Sequence, residues 1–461
     1  MALEKKWISL FFVLAALWTF VLVSTIYTTI EGIETLVDKS VDLSLITIPL
    51  MAISLVYAAV TIFIFVLYLA TSKKAERYQL MLKDKYSENN QLYHVEPELC
   101  SIIIPARNEE DTIKRTVQRC LQQTYRNLEV VVICHNCSDR TFEEAQIGDS
   151  RVKVFDVRTK EVGKGIALNH GVEKATGNYL LILDGDGMLS KDFIESAMPM
   201  FKEGYAAVQG RYIPSNRNYN FITRMLSLEG DLWSTPYMTI RTVLGKKVGL
   251  GGTGYMVRKD ILTKVGMFEN HLVDDYELTF RLLRNKFKIA FAPLSICYDE
   301  KPPNLQFMIR QRARWFRGFM SLMRHRIAEP HDIIGNLYWV NPIAILSGTA
   351  VLLLAGVAGI HNLLFGYYPY KFAYLSIELW FLLYGSLLLL QAMVLIRQYG
   401  RAGLKYSLLL PIFAGFSNYW LAAAMKSFFV KSWGNTKTTH GFISKSDMEK
   451  LVASEAEEKK R

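Results

Sequence analysis

The segment LDGDGML, residues 183–189, sets Asp184 and Asp186 one residue apart between glycines at the end of an apolar run. Paired hard carboxylate oxygens suit Mg²⁺ or Mn²⁺, and such an ion in turn binds phosphates. By itself a DxD is equally at home in a surface turn, since Asp and Gly favour turns. A second acidic group, Asp274, Asp275 and Glu277, lies in HLVDDYELTF. Acids there also suit the positive end of a helix dipole. A third group is cationic and aromatic. In QFMIRQRARWFRGFMSLMRHRI a helix brings Gln311, Arg314 and Trp315 together at i, i+3 and i+4. Arginine can fork two hydrogen bonds onto a phosphate, and tryptophan offers a flat face to a sugar ring. The same helix lines Arg310, Arg314, Arg317, Ser321 and Arg324 along a polar stripe, with Met308, Trp315, Phe319 and Leu322 on a mostly apolar face. That pattern suits a membrane surface.

The elements that must hold these groups follow from the patterning. CSIIIPARNEE reads as a short strand stopped by Pro105, then a helix opening with acids. LEVVVICHN, RVKVFDV and NYLLILDGDG read as three more strands, and GKGIALNHGVEKA as a helix. Strands alternating with helices argue for a mainly parallel sheet covered on both faces. Such sheets bind ligands at the carboxyl ends of their strands. Asp184 and Asp186 lie at such an end.

The ends of the chain are different. The 461 residues are 51% hydrophobic with a net charge of +11, and the apolar residues crowd into both termini. Residues 7–30 and 43–72 carry no charge, and 337–360 and 373–396 read as two further spans. A bilayer-spanning helix needs about 20 apolar residues. Lysines and arginines flank the first hairpin on its outer sides, at Lys5 and Lys6 and from Lys73 to Lys85, which puts the middle of the chain in the cytoplasm. A fifth apolar segment, about 407–430, contains Lys426, and either spans or lies at the interface. Cys100, Cys120, Cys134, Cys137 and Cys297 are scattered. The CxxC of Cys134 and Cys137 lacks the second pair that a zinc site needs, so unpaired thiols in a reducing compartment are expected. Membrane topology accounts for the basic charge better than nucleic acid does.

In order along the chain, PARNEE, GKGIALNHG, DGD, GGTGYMVRKD, VDDYELT and QRARW resemble the membrane-embedded family-2 glycosyltransferases. That group includes cellulose, hyaluronan, chitin and poly-N-acetylglucosamine synthases. The resemblance covers about residues 100–320. It implies a GT-A-like, Rossmann-like α/β catalytic domain in the cytoplasm, inserted between α-helical transmembrane segments. It also implies roles. Asp186 coordinates Mg²⁺ or Mn²⁺ on the diphosphate of a UDP-sugar, with Asp184 holding the nucleotide or helping the metal. Asp275 stands where the family has the aspartate of Thr-Glu-Asp, and is the general base. Gln311, Arg314 and Trp315 match QxxRW, with Arg314 on the leaving diphosphate and Trp315 at the acceptor end. Lys164 sits near the nucleotide. Gly252, Thr253 and Gly254 let backbone approach the sugars.

Two departures stand out. Val273-Asp274-Asp275 replaces Thr-Glu-Asp. His135 replaces an aspartate that in the family binds uracil, so His135 or the acids Glu109 and Glu110 read the base differently, or the base is not uracil. The implied division is an N-terminal membrane hairpin at 1–72, the glycosyltransferase domain at 73–300, interface helices at 301–332, C-terminal membrane helices at 333–432 and a tail at 433–461. The implied activity is processive, inverting polymerisation of UDP-glucose or UDP-N-acetylglucosamine into a β-linked polysaccharide that crosses the plasma membrane. The partners are then the donor, the growing chain, membrane lipid and an accessory export or regulatory subunit. Single addition of a sugar to a lipid, or an inactive translocation subunit, are the alternatives.

Overall fold

The structure is a computed structural model that describes residues 41–42, 44–86, 98–245, 248–326, separate positions between 344 and 371, and 377–430. The expected span at 7–30, most of that at 337–360, and the tail lie outside the described residues. The chain divides into two units. One comprises Met1–Ala70 with Pro330–Ala422, the other Thr71–Glu329 with Ala423–Arg461.

In the first unit, helix α1 (Ser44–Lys85) begins as an uncharged apolar run and continues into the second unit. Helix α11 (Ile377–Tyr399) is the other described helix long and apolar enough to cross a membrane. The fifth apolar segment is broken. Helices α12 (Arg401–Ser407), α13 (Leu410–Phe416) and α14 (Tyr419–Ser427) replace a straight span, with a bend of 50° after Ser407. Pro411 sits in the first turn of α13, where its missing N–H costs no intrahelical bond.

The second unit holds the sheet. Its first half follows the alternation: β1 (Cys100–Ala106), α2 (Ile113–Cys120), β2 (Leu128–His135), α3 (Thr141–Ala145), β3 (Val152–Val157), α4 (Lys164–Lys174) and β4 (Tyr179–Ile182). These four strands are parallel in the order β3-β2-β1-β4. Pro105 does not stop β1. Backbone bonds alternate along the strand: the Cys100 N–H faces β2, whereas the Ile103 carbonyl accepts from Leu183 on the β4 side. The nitrogen of Pro105 therefore points to the side where β4 has already ended, so no ladder bond is lost.

The second half departs from the parallel expectation. It contains β5 (Met188–Leu189), α5 (Phe193–Lys202), β6 (Ala207–Pro214), α6 (Phe221–Glu229), α7 (Thr235–Val243), β7 (Tyr255–Arg258), α8 (Lys259–Lys264), α9 (Asp274–Arg284), β8 (Ile289–Asp299) and α10 (Leu305–Arg326). Strand β7 inserts antiparallel between β4 and β6, and β5 pairs antiparallel with β8, which makes the eight-stranded sheet mixed.

Side-chain alternation then builds two apolar layers. Ile102, Ile104, Val130, Val132 and Leu181 pack with Ile113, Val117, Phe193 and Ala197. On the opposite face Ile103, Val131, Ile133, Leu180 and Ile182 pack with Leu168, Val172, Leu278 and Leu282. Strands buried on both faces read as unbroken apolar runs, as these do.

Gln79, near the end of α1, is buried in the second unit and uses both ends of its amide. Nε2 donates to the Ser196 carbonyl at 3.0 Å and to Ser295 Oγ at 3.1 Å, and Oε1 accepts from the Leu294 N–H at 2.9 Å. Gln79→Ala leaves these partners buried and unmatched. The expected cost is about 2–4 kcal/mol, or roughly 5–10 °C in the unfolding midpoint of the detergent-solubilised protein. An unchanged midpoint would show that water takes over the vacated bonds.

Candidate active site

Strand β4 ends at Ile182, and the chain turns through Asp184–Gly187, closed by a bond from the Gly187 N–H to the Asp184 carbonyl at 2.9 Å. Asp184 is held from two directions. Its N–H donates to Thr253 Oγ1 at 2.9 Å, and its carboxylate accepts from Lys164 Nζ at 2.6 Å. Lys164 also donates to the Gly252 carbonyl at 2.5 Å. Burial opposes the lysine's charge, yet Asp184, Asp274 and Asp275 outweigh it and hold its pKa above the usual value. The flanking glycine has a packing reason: a Cβ on Gly165 would lie 2.5 Å from the Glu269 carbonyl. The GKG motif thus lets the start of α4 press against the loop that leads to α9.

Glu109 lies against the same turn, its Cγ 2.9 Å from the place a Cβ would take on Gly185. Burial, then the charges of Asp186 and Asp184, push its carboxyl up to about 9. Among the described residues no three His, Cys, Asp or Glu side chains converge as a complete metal cage. Mg²⁺ and Mn²⁺ on a nucleotide do not require one: one or two carboxylates suffice, with phosphates and water completing the shell. The residues present fit that requirement, and Asp186 and Asp184 are the ones that would hold the ion.

The opposite wall is the first turn of α9. Asp274 is buried, and its Oδ2 has no hydrogen-bond partner. Asp275 is raised to about 7, first by burial and then by Asp274, with Lys164 and Arg314 pulling the other way. The position of a Cβ on Gly252 would be 3.8 Å from Asp275 Oδ2 and 3.8 Å from Lys164 Nζ. Gly252 thus lies between Asp275 and Lys164.

Helix α10 supplies the cations, with one correction to the stripe expected from spacing. Arg310 and Arg317 are exposed, but Arg314 turns inward. Its Nη1 donates to the Leu272 carbonyl at 2.6 Å, and its charge faces Asp274, Asp275 and Asp184, although burial lowers its pKa. Arg312 is also buried. It pairs with Glu229, donates to Gln311 Oε1 at 2.5 Å, and lies over the Trp315 ring at 4.2 Å. A stacked guanidinium therefore fixes the indole.

The structure gathers Asp184, Asp275, Lys164 and Arg314 into one electrostatic cluster and sets Asp186 and Glu109 at its edge. Gly252 borders it. Thr253 and Gly254 serve the scaffold: Thr253 anchors Asp184, while Gly254, at φ +58°, lies where a Cβ would strike Cys297 at 2.4 Å. His135 is buried at the end of β2. Its Nε2 pairs with Thr159 Oγ1 at 2.7 Å, and burial with Arg107 nearby lowers its pKa. Asn136 makes two further bonds to the Thr159 backbone, so this corner fastens a loop. Asp139 accepts from the Glu110 and Thr141 N–H groups and joins the PARNEE loop to it. Sequence reasoning did not single out Thr253 as the Asp184 clamp or Arg312 as the Trp315 support. Both depend on contacts distant in sequence.

A mixed Rossmann-like sheet, with an acidic turn, a buried lysine and a carboxylate pair at its strand ends, is the GT-A-like architecture of a glycosyltransferase. Residues 97–318 match the sequence profile described as "Glycosyltransferase like family 2", and this segment is a family-2 glycosyltransferase domain. A β-monoglucosyldiacylglycerol synthase of Trichormus variabilis is 30% identical over 47% of this chain and 48% of its own. A poly-β-1,6-N-acetyl-D-glucosamine synthase of Staphylococcus aureus is 26% identical over 47% of this chain and 54% of its own. The chain thus spans about half the length of the curated relatives it matches. A mannosyltransferase from Pyrobaculum calidifontis, solved with GDP-Man and Mn²⁺, shares the fold at a TM-score of 0.52 and 19% identity, over 82% of this chain and 99% of that one.

Glu109 makes stability depend on pH. An unfolded glutamate titrates near 4.5 and the folded one near 9, so the folded state binds the proton more tightly. The extra stability is complete below 4.5 and is lost as the pH rises through 9. In metal-free protein the unfolding midpoint should fall across this range, and Glu109→Gln should flatten the slope. An unchanged slope in the variant would assign the dependence to other groups.

Proposed function

We propose that the domain is an inverting transferase that moves a sugar from a nucleoside-diphosphate donor to an acceptor hydroxyl, with Asp275 as general base. The observation that carries this reading is that the Asp275 carboxylate and Lys164 Nζ flank the side-chain gap at Gly252, each 3.8 Å from where a Cβ would stand. A donor lying along Asp184 and Lys164 presents its anomeric carbon towards that gap. The acceptor oxygen gives its proton to Asp275 as it bonds to that carbon. The carbon–oxygen bond to the diphosphate breaks, and the leaving group takes the electron pair. One displacement inverts the centre, so an α-linked donor yields a β linkage. Arg314 and Lys164 offset the charge that develops on the leaving group. A divalent ion held by Asp186 and Asp184, when bound, would withdraw charge from the diphosphate. Asp274 balances Lys164 and Arg314, and burial first and Asp274 second keep Asp275 basic enough to work near neutral pH.

Polymerisation of UDP-glucose or UDP-N-acetylglucosamine into a β-linked polysaccharide exported through the membrane is the whole-protein reading. Support comes from the long apolar helices, the inward Arg314 beside a braced Trp315, and the poly-N-acetylglucosamine synthase relative. Transfer of one sugar to a lipid is the second reading, favoured by the 30% identical glycolipid synthase. Donor release should be measured with UDP-glucose, UDP-N-acetylglucosamine, UDP-glucuronate and GDP-mannose, each with Mg²⁺ or Mn²⁺. A ladder of products supports the polymerase. A single addition to diacylglycerol supports the glycolipid enzyme.

Asp275→Asn should lower turnover by about 10²–10⁴-fold while donor affinity stays nearly constant, because it removes the base and not the phosphate contacts. In the wild type, kcat/KM should rise with pH and level off above about 7, since the protonated base is inactive. A variant with wild-type turnover overturns the assignment.

A further inference from the structure

The loop that leads into the catalytic turn is gripped residue by residue by one face of α10. His271 Nε2 meets Ser321 Oγ at 2.8 Å. The Leu272 carbonyl accepts from Arg314 at 2.6 Å. Val273 fills the space above Gly318, where a Cβ would come within 2.8 Å of Val273 Cγ2. Tyr276 then meets Phe319 edge-on, with ring centroids 4.7 Å apart. Residues 314, 318 and 321 are spaced i, i+4 and i+7, a single helical stripe.

The hydrogen bonds around His271 are consistent with one tautomer. Ser321 donates its proton to the Gly318 carbonyl at 2.6 Å, so its oxygen accepts from Nε2–H. Nδ1 is then the acceptor for the Val273 N–H at 3.2 Å. One imidazole therefore does two jobs. It closes a turn onto the residue that precedes Asp274, and it bolts that turn to α10.

We infer that His271 is a positioning residue for the transfer reaction, its bridge to Ser321 fixing the first turn of α9 and so the place of the Asp275 carboxylate relative to the donor side. This rests on the reading of Asp275 as the base. A general base works only within hydrogen-bond reach of the proton it takes. A displacement on the order of 1 Å can cost about 10²-fold in rate.

The two jobs can be separated by substitution. Asparagine at 271 can still accept from the Val273 N–H but cannot reach Ser321. Glutamine reaches Ser321 in place of Nε2. Full-length protein in detergent, with whichever of the four nucleotide sugars above the wild type turns over fastest, should be assayed for kcat, donor KM and unfolding midpoint. His271→Asn and Ser321→Ala should each lower kcat by about 10- to 100-fold with donor KM within about twofold. The double variant should be no slower than the worse single one, because both remove the same contact. His271→Gln should recover most of the rate. Additive losses, or wild-type kcat in His271→Asn beside an inert Asp275→Asn, overturn the bridge and leave the base intact. Wild-type kcat in Asp275→Asn overturns the base, and with it the purpose given to His271.

Discussion

Lys164 carries a buried ammonium ringed by Asp184, Asp274 and Asp275. The two halves of the site depend on this cation. It holds Asp184 by a direct bond and faces Asp274 and Asp275 with its charge. Without it, Asp184 and the α9 carboxylates would repel one another with no cation between them. The Gly252 carbonyl takes a second proton of the same ammonium, so the lysine also tethers the backbone between the two walls.

The cluster remains deficient in positive charge even so. Lys164 and Arg314 stand against Asp184, Asp186, Asp274 and Asp275, and Glu109 is pushed upward first by its burial and then by the charges of Asp186 and Asp184. A diphosphate brought into such a site adds negative charge. A divalent cation bound beside it would offset that charge.

Much of the fold was legible. Three of the parallel strands, β1, β2 and β4, stand out as apolar runs because strands buried on both faces leave nearly continuous hydrophobic segments, whereas the edge strand β3 alternates with Lys153 and Asp156. The DGD turn and the acidic start of α9 were legible because their residue types are unusual beside buried elements. The facing of α10 was not. Spacing alone grouped Arg314 with the exposed arginines, whereas the buried carboxylates of α9 draw it inward and Glu229 does the same for Arg312. Helical periodicity orders residues around an axis but does not say which charges wait on the other side. His135 was read as a candidate for the base pocket. Its contact with Thr159 is a loop-closing one that no local pattern announces.

The mixed sheet, missed by the same reasoning, is what completes the site. β7 runs antiparallel beside β4 with Ile182 opposite Tyr255. The chain therefore enters β7 at the very end where it leaves β4. GGTG, just before β7, is thereby laid against DGD, just after β4, and Thr253 can hold the Asp184 N–H. Had β7 been parallel, its entering loop would lie at the opposite edge of the sheet, a strand's length away. The glycine at 254 follows from this closeness, since a Cβ there would strike Cys297. One reversed strand gives the carboxyl ends of the sheet a second wall.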